Sequence, residues 1–152
     1  MGKVLIIMGS KSDMEIAEKV QEVLQSFEVP FHTEISSAHR MPEKTRKLAS
    51  HAQEQGYQVI ITIAGYSAHL GGVVASLTIL PVITIPVSSS PLQGLDSIFS
   101  TIQMPGGVPL ATMSLDKAGA KNAALFAIEI LSLSDPHLRN KLKEYRVKLS
   151  QS

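Results

Sequence analysis

The chain has 152 residues, 14 Lys or Arg against 13 Asp or Glu, a formal charge of +1, and neither Cys nor Trp. This length suits one domain with a full core. A balanced charge without a basic stripe argues against nucleic acid as a partner. The lack of Cys excludes disulfides, Cys-ligated zinc and thiol catalysis, and fits a cytoplasmic protein.

Residues 3–8, KVLIIM, form an apolar run read as a buried strand. It is too short for a signal peptide and has no small-residue cleavage site. Gly9-Ser10-Lys11-Ser12-Asp13 is the turn after it. A helix follows, with Ile16, Ala17, Val20, Val23, Leu24 and Phe27 at helical spacing and Ser12 or Asp13 as its cap. Val29-Pro30 ends that helix, and Phe31 to Ile35 is the second strand. Ser36-Ser37-Ala38-His39-Arg40-Met41 is a loop at that strand's carboxyl end. Pro42, favoured at a first helical position, opens a helix to about Gln55.

From Gln55 to Leu95 there is no Asp, Glu, Lys or Arg. A membrane span could be drawn over residues 70–87, but Gly71, Gly72, Pro81 and Pro86 break it into short pieces. The stretch reads instead as the middle of a parallel sheet, whose strands are apolar on both faces, with no membrane partner. Residues 58–64 are the third strand and 81–86 frame the fourth. Between them lie the loop 65–72 and a short helix over 73–77. Ser88 to Gly94 is a third loop, before a helix over 95–103. Residues 104–109 form a fourth loop, and 110–113 a short fifth strand. Lys117 to Leu133 reads as a long helix, and Asp135-Pro136 starts a last, charged one.

Strand and helix alternate throughout. The expected result is one α/β domain over residues 1–152: a central parallel sheet with helices on both faces, right-handed crossovers and a C-terminal helical extension. The helix over 118–131 is apolar around nearly its whole circumference. One sheet buries one face, so the other is expected to meet a second subunit of a symmetric homo-oligomer. The alternative is that the last helix covers it within the chain.

In such sheets ligands bind beyond the carboxyl ends of the strands, where these loops lie. His39 can move protons near neutral pH, and Arg40 can hold phosphate or carboxylate in a planar fork. Ser10, Ser12 and Asp13 stand where helix N–H groups attract anions. Asp13 would repel a phosphate, so its carboxylate is expected to accept from sugar hydroxyls. The turn is neither a dinucleotide fingerprint nor a P-loop. His69 sits in a second loop at the same edge, where Gly65, Gly71 and Gly72 allow backbone to approach a ligand; Gly106 and Gly107 would do likewise in the fourth loop. No Cys/His spacing or acidic pair supports a metal site.

Five stretches together resemble the PurE family of purine biosynthesis: 8–13 (MGSKSD), 37–42 (SAHRMP), 68–70 (AHL), 94–97 (GLDS) and 103–107 (QMPGG). The sequences KAGA at 117–120 and NAAL at 122–125 match its late helix. The resemblance runs in order from residue 3 to about 133. It implies a flavodoxin-like three-layer sandwich, a homo-octamer with sites at subunit contacts, and no metal or organic cofactor. It implies that the chain isomerises a small-molecule ribonucleotide, N5-carboxyaminoimidazole ribonucleotide, to the 4-carboxy compound. His39 matches the catalytic histidine and His69 a second active-site histidine. Ser10, Ser12, Asp13, Ser37, Ala38, Arg40, Gly65, Ala68 and Leu70 are the expected substrate-binding positions. Tyr66, Ser67, Gly71 and Ser88 depart from the family pattern in loops expected to line the pocket. They leave open the related carboxylase that uses free CO2. A flavodoxin-like FMN carrier is a further alternative, with Tyr66 as its only loop aromatic. A phospho-acceptor domain would need an Asp at the end of strand three, where Ala64-Gly65 stands.

Overall fold

The computed structural model describes residues 2–151. Five strands, β1 (Lys3–Met8), β2 (Phe31–Ile35), β3 (Tyr57–Gly65), β4 (Val82–Val87) and β5 (Ala111–Thr112), form one sheet in the order β2-β1-β3-β4-β5. Every pairing is parallel. Six helices surround it: α1 (Met14–Ser26), α2 (Pro42–His51), α3 (Leu70–Ala75), α4 (Leu95–Ile102), α5 (Asp116–Ser132) and α6 (Pro136–Ser150). This is the expected flavodoxin-like arrangement.

Alternation along each strand sends side chains to opposite faces. Val4, Ile6 and Met8 join Ile61, Ile63 and the apolar faces of α1, α5 and α6 in one core. Leu5 and Ile7 join Ile60, Ala49 of α2 and Leu70 and Val74 of α3 in the other. The central strands are therefore apolar without interruption because both faces are covered. Ile6, Ile61 and Ile83 are fully buried, and each such side chain contributes about 1.5–3 kcal/mol. The uncharged stretch 55–95 holds β3, α3 and β4, as the sheet reading requires. Among the described residues no helix is long and apolar enough to cross a membrane.

Most boundaries shift by a single residue from the sequence reading, and three differ by more or in their cap. A 3-10 turn over Lys11–Asp13 precedes α1, and Ser10 caps it; Asp13 makes no side-chain cap bond. α2 stops at His51 and leaves its last expected residues as turns before Gly56, whose φ is +84. α3 begins at Leu70 instead of Val73, because the left-handed residue His69 reverses the chain there (φ +55).

The largest correction concerns α5. Its small apolar face does not face outward: Ala120, Ala123, Ala124 and Ala127 are fully buried within the chain, in the core shared with α1 and α6. Alanines let those helices approach closely, and the alternative of intrachain cover is the one realised. Phe126 is the large exposed apolar side chain of this helix, at 36% exposure. The apolar surface lies on α4 instead, where Leu95, Phe99 and Ile102 are 55%, 59% and 49% exposed and Leu92 precedes them.

Candidate active site

The loop after β2 is built by local hydrogen bonds. The Ser37 hydroxyl accepts the Arg40 N–H at 3.2 Å, and the Ser37 carbonyl accepts the Met41 N–H at 2.8 Å. This closes one tight turn and presents Ala38, His39 and Arg40 outward. Ser36 is fully buried and hydrogen-bonds the Thr45 hydroxyl at 2.8 Å, which bolts the loop to α2. Thr45 in turn donates to the Met41 carbonyl at 3.1 Å. Ser36 is therefore a fastening, while Ser37 belongs to the site.

The turn after β1 faces this loop. The Ser10 hydroxyl oxygen accepts from the Ser12 N–H at 3.3 Å and from the Ser12 hydroxyl at 3.1 Å. With its lone pairs engaged, Ser10 keeps its own O–H to donate to a ligand. Asp13 is 5% exposed. Burial pushes its carboxyl above the usual range, and a Ser10 backbone hydrogen bond acts the other way.

These elements enclose a cavity of about 450 Å3 at the carboxyl edge of the sheet. Its walls carry Ser10, Ser12, Asp13, Ser37, Ala38, His39, Arg40, Gly65, Ala68 and Leu70, together with Gly9, Ala64, Tyr66 and Ser89. All the residues expected at the site except His69 thus share one cavity. Ser89 was not among them; of the four departures expected to line the pocket, Tyr66 does so and Ser67, Gly71 and Ser88 do not. The signal for Ser89 in the sequence was position alone, since it follows the end of a strand.

His69 lies apart. Its ring faces a narrower crevice lined by Gly71, Thr84, Ser97, Ser100 and Thr101, which shares Ala64, Gly65, Tyr66 and Leu70 with the larger cavity. Its Nδ1–H donates to the Ser100 carbonyl. That bond leaves Nε2 as an acceptor in the neutral ring, so His69 can donate to a carboxylate only as imidazolium. The ring rests on Gly72, where a Cβ would lie 2.1 Å from it. Gly71 has a similar reason to be small: its Cβ would stand 2.9 Å from the Thr84 hydroxyl, which the Thr62 hydroxyl bonds at 2.9 Å. The fourth loop stands clear, since Gly106 and Gly107 have open space where a side chain would be and neither lines the cavity. Among the described residues no group of three His, Asp or Glu is placed to hold a metal ion.

Asp13 yields a pH prediction. Its folded-state value lies above the unfolded one, so the folded chain binds the extra proton in the interval between them. Stability therefore falls as pH rises through that interval, which opens near the usual 3.8, and the loss is complete above the raised value. Asp13→Asn is expected to raise the melting temperature near neutral pH, with the gain vanishing in acid below that interval, while substrate binding weakens. Thermal melts of both proteins across pH check this; a gain independent of pH would refute the burial cost.

A profile of the family described as AIR carboxylase matches residues 3–152. The chain is 51% identical over 146 residues to an N5-carboxyaminoimidazole ribonucleotide mutase of Pyrococcus abyssi, covering 96% of this chain and 83% of that one. It is 46% identical over 144 residues to the mutase of Escherichia coli K12, covering 95% and 85%. The Thermotoga maritima mutase is 46% identical over 151 residues, covering 99% and 87%. Among solved structures, Treponema denticola PurE superposes with a TM-score of 0.90 at 33% identity, covering 99% of this chain and 93% of that one. By sequence along nearly its whole length and by fold, the chain belongs to the AIR carboxylase family, to which PurE belongs.

Proposed function

We propose that the protein is an N5-carboxyaminoimidazole ribonucleotide mutase, an isomerase of purine biosynthesis. The observation that carries this is the shared cavity: one proton carrier, His39, and one guanidinium, Arg40, face the polar turn Ser10–Asp13 in a chain 46–51% identical to mutases. Arg40 and Ser10 hold the 5′-phosphate, by charge-assisted hydrogen bonds and at a helix-terminal turn. Asp13 accepts from the ribose hydroxyls. Ser12, Ser37, Ala38, Gly65, Ala68 and Leu70 complete the walls around substrate.

The reaction moves a carboxylate from the exocyclic nitrogen to ring carbon C4. In this reading the N–C bond of the carbamate breaks, CO2 forms, and the exocyclic nitrogen takes a proton from His39. The C4 carbon then attacks the retained CO2, and the proton it sheds returns to His39. One proton and one carboxylate are conserved, so no net acid or base is consumed. His39 suits both acts, because an imidazole can give and accept. His69 stands behind the cavity wall at Gly65, Tyr66 and Leu70, in a side crevice too narrow to admit a carboxylate.

Incubation with N5-carboxyaminoimidazole ribonucleotide, without ATP or added bicarbonate, is expected to yield the C4 isomer. The related carboxylase is favoured by the family's description alone. It would instead leave that substrate unused and carboxylate aminoimidazole ribonucleotide from bicarbonate-derived CO2.

The same reading takes residues 1–152 as one catalytic domain, of which Met1 and Ser152 lie outside the described residues. It places the enzyme in the cytoplasm, because a phosphorylated nucleotide does not cross a membrane unaided. It also makes the working form a homo-octamer whose subunits meet through the exposed α4 face and the loop that follows it. Phe99→Asp is expected to shift the assembly to smaller species in sedimentation while leaving the fold intact. A parent protein that sediments as a monomer would end this part of the proposal. Ala124→Glu, by contrast, is expected to be a folding lesion, since Ala124 is buried inside the chain.

A further inference from the structure

The connection between β4 and α4, residues 88–94, contributes Ser89 to the cavity wall. Both of its ends are fastened to the residues that open α5. At the first end the Asp116 carboxylate accepts the Ser88 backbone N–H at 2.9 Å, and also the Ser88 hydroxyl. At the second end Gly94 lies against Leu115. A Cβ at Gly94 would stand 2.5 Å from a Leu115 methyl and 3.3 Å from the Ser88 Cα. Between the ends, the Ser90 hydroxyl accepts the Leu92 N–H at 3.1 Å and donates to Asp96 at 2.7 Å. The loop is thus closed on itself and tied to α5.

Asp116 makes its contacts from a left-handed backbone, φ +56. A residue with a Cβ adopts that conformation at a cost, and it persists where the surroundings over-determine it, often beside functional sites. The next residue, Lys117, pairs with Glu15 of α1. The start of α5 is therefore tied both to the Ser88 loop and to the helix that carries the Ser12–Asp13 turn. A hollow lined by Ser12, Ser88, Ser89, Asp116 and Lys117 runs along this junction. It places Ser89 on the Ser12 side of the cavity. On the opposite side Ser89 has no slack, because a Cβ at Gly65 would lie 2.2 Å from its hydroxyl oxygen.

We propose that Asp116 is a positioning residue: by holding Ser88 it sets the Ser89 hydroxyl between Gly65 and Ser12, where that hydroxyl bonds the ribosyl end of the substrate. The substrate half of this statement rests on the mutase reading above; the anchoring of the loop does not.

Asp116→Gly tests it, because glycine relaxes the left-handed backbone while removing the carboxylate. The expected result is a KM for N5-carboxyaminoimidazole ribonucleotide raised about two- to tenfold, the worth of a neutral hydrogen bond, with kcat near the parent value. Amide hydrogen exchange is expected to quicken over residues 88–94 and to stay slow in β1, β3 and β4. Ser89→Ala is expected to raise KM equally, and the double variant no further, since both changes remove one interaction. Asp116→Asn, which keeps an acceptor for the Ser88 N–H, is expected to restore part of the loss. An unchanged KM, or additive effects in the double variant, would overturn the proposal. So would faster exchange throughout the sheet, which would make Asp116 a residue of global stability. If the parent protein does not isomerise the substrate, the mutase reading fails on its own. The exchange measurement then decides the anchor, and unchanged protection of residues 88–94 overturns it.

Discussion

His39→Asn is expected to lower kcat by about 10²–10⁴-fold, the usual contribution of a positioned general acid and base, with little change in KM. Asparagine keeps a comparable size and a hydrogen-bonding end but cannot carry a proton between nitrogen and carbon. No neighbour can take over the task. Arg40 remains protonated and only donates. The Ser37 hydroxyl is occupied as the acceptor of the Arg40 N–H. Asp13 stands across the cavity, on the turn assigned to the ribose. The turn that presents residue 39 is closed by Ser37 and Met41 and is bolted to α2 through Ser36 and Thr45, so the substitution leaves the backbone in place. Steady-state conversion of N5-carboxyaminoimidazole ribonucleotide by both proteins checks this. His69→Asn is expected to cost less, because its ring lies in the side crevice and is committed to the Ser100 carbonyl. A His69 variant more damaged than the His39 variant would reverse the assignment of the proton carrier.

Arg40→Ala is expected to weaken substrate binding by about 1.5–3 kcal/mol, the scale of a hydrogen bond to a charged group, which is about 10–150-fold in affinity. A phosphate facing the cavity would keep the Ser10 hydroxyl but lose the planar fork. Arg40→Lys is expected to recover only part of the loss, since an ammonium is a point charge and cannot bond two oxygens in one plane. Calorimetry with the ribonucleotide and with its dephosphorylated nucleoside separates the roles. The variant is expected to bind the nucleoside as the parent does and the nucleotide more weakly. Equal losses for both ligands would remove Arg40 from the phosphate and assign it to the base or the ribose.

What the sequence determined by itself was what depends on neighbours along the chain. Strands buried on both faces must be apolar without interruption, so β1, β3 and β4 were legible from composition alone. Pro30, Pro42 and Gly56 punctuate helices through backbone limits that act locally. The loops at the carboxyl ends of the strands followed from strand and helix alternation, and with them came His39, Arg40 and the Ser10–Asp13 turn. The family resemblance was legible because those short stretches recur in a set order. The tertiary structure alone decided which side chains share a wall. His39 and His69 look alike in the sequence, yet the missing Cβ of Gly72 and the Ser100 carbonyl, 31 residues away, draw the second ring into a side crevice. The Ala-rich face of α5 looked outward-facing because a sheet covers one side of a helix. Its small side chains instead admit α1 and α6 closely, a fit between distant segments that no local pattern encodes. The same distance in sequence hid the hold of Asp116 on Ser88, 28 residues apart, because a hydrogen bond between two loops depends on where the sheet brings their ends.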